Sequence, residues 1–111
     1  MTVYEAYQRF MIDKKVENCT DSIIKNYENM IGYYVSFVGE NRKVIEIQNA
    51  DYVKGYILHL QKKGKSGRTI YTYVKHIKVF YRWLVNNKHI EYNTVSDIRV
   101  RFEKKIPDFK G

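Results

Sequence analysis

GKSGRTIYTYVKHIKVFYRWLVNN, residues 64–87, is the stretch whose reading decides the fold. Gly64 fits the end of one helix, since glycine takes up the left-handed backbone a helix stop favours. Ser66 fits the start of the next, because its hydroxyl accepts one of the backbone N–H groups a first turn leaves unpaired. From there Ile70, Tyr73, Val74, Ile77, Phe80, Tyr81 and Leu84 recur at steps of three and four. That is one apolar stripe of a helix with 3.6 residues per turn, so a long helix with a buried side is predicted. Asn86 and Asn87 close it, and the chain's one proline, Pro107, lies far beyond.

Projected at about 100° per residue, the opposite side of this helix carries Arg68, Tyr71, Thr72, Lys75, Lys78 and Arg82. No acid balances them. Positions 52–90 hold no aspartate or glutamate, 39 residues in a row, in a chain whose formal charge is +8. Concentrated positive charge of this kind suits a polyanionic partner. Ser66, Gly67 and Thr69 add a helix start, where free N–H groups and the helix dipole favour a phosphate. A plain solvated helix surface is the alternative reading, and the acid-free run weighs against it.

Working outward, a third helix precedes this one, with Asn49 expected as its cap. It carries Val53, Tyr56, Ile57 and Leu60 and stops at Lys62-Lys63-Gly64. Thr20 caps a second helix whose stripe is Ile24, Tyr27, Ile31, Tyr34 and Val38, ended by Gly39 and Asn41. Thr2-Val3-Tyr4-Glu5 is a capping box opening a first helix with Val3, Ala6, Tyr7, Phe10 and Met11 on one side. After the fourth helix, Ile90 is expected to fold back under the bundle. Val95, Ile98 and Phe102 suggest a short fifth helix, and residues 106–111 read as a linker.

Away from its stripe the second helix presents Ser22, Lys25, Asn26 and Asn29, residue types that meet phosphates and base edges. Asp21 and Glu28 stand nearby, and an ordinary exposed helix reads equally well there. Most of the eleven tyrosines fall on stripes, where core packing is their role. Trp83 and Val79 lie off the stripe of the fourth helix. They cover a seam against the first or fifth helix, or else meet a missing domain, and the seam is favoured.

At 111 residues, with 44% hydrophobic and 29% charged, the chain has the composition of one folded domain rather than a disordered tail. The single cysteine, Cys19, excludes an internal disulfide and fits a reducing, cytoplasmic setting. No apolar run approaches the roughly 20 residues of a membrane span, and Glu5 and Arg9 interrupt any signal-like start, so no membrane partner is expected. His59, His76 and His89 are too scattered for a metal site. Phosphate loops, nucleophile elbows and HExxH motifs are absent too. Neither a cofactor nor an active site is expected within these residues.

Read in order, the landmarks resemble the N-terminal core-binding, or SAM-like, domain of tyrosine recombinases, the phage-integrase family. The matching residues are Phe10; Thr20 with Ile24 and Tyr27; and Tyr56 with Leu60. The junction 64–70 and the ending Phe80-Tyr81-Arg82-Trp83-Leu84 complete the pattern. Two positions depart from it: Asn93-Thr94 stands for the family's Asn-Pro, and Ile23 stands where threonine is common. The resemblance implies an all-α fold, a single bundle of four main helices plus a short C-terminal helix. Residues 1–105 would form the DNA-binding domain, and 106–111 a linker toward an absent C-terminal catalytic domain.

It implies a function as well. The domain packs on one side of duplex DNA while the catalytic domain closes from the other, and other recombinase protomers assemble on the same DNA. Carried over by position, the second and fourth helices face the major groove through Lys25, Asn26, Asn29, Lys65, Ser66, Arg68, Thr72 and Lys75. The basic face read directly from the residues adds Lys78 and Arg82. The catalytic groups belong to the other domain, so the fragment itself is not an enzyme. The alternative from the residues alone is a basic helical adaptor meeting an acidic protein; competition by duplex DNA separates the two.

Overall fold

Each long helix begins where a side chain can take up a free backbone N–H. In the computed structural model, which describes residues 1–101, α1 (Val3–Val16) opens with the expected capping box. Thr2 Oγ1 accepts from the Glu5 N–H at 3.1 Å, and Glu5 Oε1 accepts from the Thr2 N–H at 2.9 Å. Thr20 Oγ1 accepts from the Ile23 N–H at 3.3 Å to start α2 (Asp21–Val38). Ser66 Oγ accepts from the Thr69 N–H at 3.2 Å to start α4 (Gly67–Asn86).

The third cap differs. α3 (Asp51–Lys62) follows Ala50, which already has helical backbone angles, and Asn49 stands one position too early to be the cap. Its Oδ1 accepts from the Asp51 N–H at 2.9 Å. The reason is a 3₁₀ helix, Val44–Gln48, that feeds almost continuously into α3. Its apolar residues, Val44 and Ile47, are buried three positions apart, a spacing too short to show as periodicity.

The helices enclose one core. Phe10 of α1, Ile31 and Tyr34 of α2, and Ile77, Phe80, Tyr81 and Leu84 of α4 are fully buried. The predicted stripe of α4 is therefore its buried side, except for Tyr73, half-buried where its ring stacks on Tyr33 of α2 at 6.2 Å. α1 and α2 approach closely at Gly32, where an added Cβ would meet the Tyr7 hydroxyl at 3.1 Å. That hydroxyl donates to the Glu28 carbonyl at 2.9 Å. Trp83 fills the seam against α1, as favoured above. Its Nε1–H donates to Asp13 Oδ2 at 2.7 Å, and Phe10 meets its ring edge-on at 5.7 Å.

Two buried phenols form a polar chain inside this apolar core. Tyr81 Oη donates to the Ile47 carbonyl at 2.7 Å, and Tyr34 Oη lies 2.6 Å from Tyr81 Oη. Tyr81 has one proton and a carbonyl can only accept, so Tyr34 must be the donor to Tyr81. Removing the Tyr81 hydroxyl leaves a buried donor and a buried acceptor unpaired, whereas removing that of Tyr34 leaves only a lone pair unused. Tyr81→Phe is therefore expected to lower stability by about 1–3 kcal/mol and Tyr34→Phe by less, measured by denaturant unfolding. Equal losses, or a larger loss in Tyr34→Phe, would contradict the assigned donor order.

Burial pushes both phenols above their ordinary value. Below about pH 10 folded and unfolded chains alike keep these protons; above it the unfolded chain ionises first, so stability falls as pH rises.

The fold is the expected all-α bundle of four main helices, with one correction after α4. Ile90 folds back and is buried, as is Val95. No helix forms over residues 95–101, however: residues 94–97 are a turn, closed by the Ile98 N–H on the Val95 carbonyl at 3.1 Å. Side chains tie this segment to the rest of the bundle and to itself. Asn93 Oδ1 accepts from the Val95 N–H at 3.3 Å, and Gln48 Oε1 accepts from the Glu91 N–H at 2.6 Å. The Thr94 hydroxyl donates to the Gln48 carbonyl, a bond proline could not make. Phe102, the third landmark of the expected fifth helix, and the expected linker 106–111 lie outside the described residues.

Candidate nucleic-acid interface

The start of α4 is set by the turn before it. The Lys63, Gly64 and Lys65 N–H groups donate back to the His59, Gln61 and Leu60 carbonyls, at 3.1, 3.0 and 3.1 Å. The turn needs a left-handed residue, and Gly64 supplies it with φ of 82°. Lys65 and Ser66 are thereby left exposed at the head of α4. One free helix N–H is already used internally, since Ser66 Oγ both accepts from the Thr69 N–H and donates to Thr69 Oγ1 at 3.0 Å.

Along α4, Arg68, Tyr71, Lys75 and Arg82 are exposed, and Thr72, Lys78 and Val79 are half-buried. The Thr72 hydroxyl donates to the Arg68 carbonyl at 3.2 Å, which fixes its rotamer against the helix. His76 behind it bonds through Nδ1 to the Thr72 carbonyl at 2.8 Å and stands edge-on to Tyr27 of α2 at 5.4 Å. Lys78 is anchored by a hydrogen bond from its ammonium to the Ile98 carbonyl.

That last contact brings the segment after α4 against the basic side of the helix. An open cleft of about 730 Å³ lies between them. Lys75, Lys78 and Arg82 line it from α4, and Arg99 and Arg101 from the later segment. No acidic residue among those described lines it. Ion pairs elsewhere join Lys14 to Glu17 at 3.2 Å and Arg42 to Glu46 at 2.9 Å, away from α4. Five cations around one cleft repel one another unless an anion lies between them, and the open geometry suits an extended polyanion.

The α2 group forms a second set. Lys25, Asn26 and Asn29 are all exposed, in the turns on either side of half-buried Tyr27. The Tyr27–His76 and Tyr33–Tyr73 ring contacts hold α2 beside α4. The two sets therefore occupy neighbouring helices, while Lys75, Lys78 and Arg82 are the ones gathered at the cleft. Arg99 and Arg101 were missed in the sequence because nothing there shows the chain folding back along α4. The signal available was an Arg-x-Arg pair beside an apolar residue, Ile98.

The family model for the phage integrase N-terminal SAM-like domain matches residues 6–91, well over half of the chain. The chain belongs to that family. The matched region of this SAM-like domain starts inside α1, takes in α2, α3 and α4 whole, and ends just after Ile90 closes the core. Compared with curated proteins and with solved structures, the chain finds no match. No helix among the described residues is long and apolar enough to cross a membrane.

Proposed function

We propose that this SAM-like domain is the DNA-gripping module of a site-specific tyrosine recombinase, laying α4 and the outer face of α2 against the major groove. One observation carries the reading: in a chain of the integrase family, the exposed side of α4 is basic, and Arg99 and Arg101 extend that charge around the same cleft. Lys75, Lys78, Arg82, Arg99 and Arg101 serve phosphates, which fixes register without reading sequence. Arg68, Asn26 and Asn29 are of types that reach base edges, arginine toward guanine and asparagine toward adenine. Ser66 and Lys65 receive a phosphate at the head of α4. Lys25 and Thr72 complete the contact surface.

In this reading, residues 1–105 are one half of a clamp and 106–111 lead into the catalytic domain, which supplies strand cleavage and rejoining. Other protomers meet the domain once both are on DNA. A basic adaptor for an acidic protein is the competing reading, and the test separates them. Labelled duplex DNA bound at low salt is challenged with unlabelled duplex and with polyglutamate at equal charge. Displacement by duplex at much lower charge concentration, and a log–log salt slope of several units, are expected. Equal displacement by polyglutamate would favour the adaptor.

A further inference from the structure

A second cleft, of about 440 Å³, opens beside the head of α4, within the size range of small-molecule sites (roughly 300–1,000 Å³). Its walls are rings: Tyr33 and Phe37 of α2, Tyr56 and His59 of α3, and Tyr73 of α4. Several lie near-parallel. Tyr33 and Tyr73 stack at 6.2 Å with 29° between planes, and Tyr56 and His59 at 6.3 Å with 21°. Phe37 meets both Tyr56 and His59, at 5.1 and 5.0 Å.

Core packing explains Tyr56, which is 3% exposed, but not Tyr33 at 53% or Phe37 at 41%. Grouped aromatic surface left in water marks a binding site more often than isolated apolar residues do. Its charge narrows the ligand. Lys63 and Lys65 are exposed at its edge, and no acidic residue among those described lines it. Flat apolar walls with cations at the rim fit a planar ring that carries a phosphate.

We propose that this cleft holds a single unpaired nucleobase of a DNA strand, stacked against Tyr33 and Phe37 with its flanking phosphates on Lys63 and Lys65. The proposal rests on the DNA reading above and adds a site that duplex binding does not require. Stacking on an aromatic face tolerates any base, so the site selects for an unpaired base rather than for sequence. Lys65 belongs to both surfaces, and so a base leaving a duplex seated on α4 has a short path into the cleft.

The test compares the 111-residue chain on a short duplex carrying one bulged adenine and on the same duplex fully paired. The bulged duplex is expected to bind about fivefold tighter or more. Phe37→Ala should remove that preference and leave the paired duplex unaffected; Tyr33→Ala should remove it too, while Tyr33→Phe, which keeps the ring and its stack on Tyr73, should retain it. Equal affinity of the wild-type chain for both duplexes, or a preference surviving in Tyr33→Ala, overturns the proposal. Loss of paired-duplex binding with the bulge preference intact would instead remove the major-groove reading and leave this site standing. Polyglutamate displacing the bulged duplex and shifting the same ring resonances would assign the cleft to an acidic peptide and overturn it.

Discussion

The double variant Lys75→Ala/Arg82→Ala is expected to bind duplex DNA about 10- to 100-fold more weakly than the wild-type chain at low salt. Both side chains are exposed and line the basic cleft, so in the proposed interface each variant removes a charge-assisted phosphate contact. A hydrogen bond to a charged group contributes about 1.5–3 kcal/mol where it is made well, and each 1.4 kcal/mol is about tenfold. Exposure and screening bring the pair below the sum of two such bonds, to about 1.4–2.8 kcal/mol together. The salt slope should fall by about two units, close to 0.9 for each phosphate released. Thermal stability should stay within about 0.5 kcal/mol of wild type, because neither side chain packs in the core. Unchanged affinity with unchanged folding would remove α4 from the interface.

Ile77→Ala carries the largest expected effect on folding. Ile77 is fully buried on α4 and belongs to the one hydrophobic core. Truncation there removes apolar area and leaves a cavity that the bundle cannot close, at about 2–5 kcal/mol. For a domain of this size each kcal/mol moves Tm by about 4–8 °C, so a drop of about 10 °C or more should appear in a thermal melt. The same helix should show one side that matters for folding and another that matters for binding. An Ile77→Ala chain melting like wild type would contradict the helical phase on which both sides rest.

That phase was legible because α4 is a long amphipathic helix with a serine cap and a glycine before it. The stripe from Ile70 to Leu84 is the buried side, with Tyr73 half-buried at the α2 seam. The caps at Thr2, Thr20 and Ser66 were legible for the same reason, since each is a local side-chain hydrogen bond written within four residues.

What escaped the sequence depends on contacts between distant residues. The turn at 94–97 takes its shape from Gln48, more than 40 positions earlier, whose side chain and carbonyl hold Glu91 and Thr94. Val95 and Ile98 keep helical spacing, but the chain between them makes only a single turn. The placement of Arg99 and Arg101 beside Lys75 follows from that clip and could not be read without it. The aromatic cleft was hidden differently. Tyr33 and Phe37 lie off the stripe of α2, and only the approach of α3 and α4 shows that their rings share one opening.

The most direct test of the central claim is an NMR titration of the isotopically labelled chain with a short DNA duplex at low salt, repeated at higher salt. The account predicts shifts concentrated on residues 65–82, on Arg99 and Arg101, and on residues 22–29, all fading as salt rises. Absence of shifts at low salt, or shifts gathered on the far side of α1 with α4 silent, would contradict it.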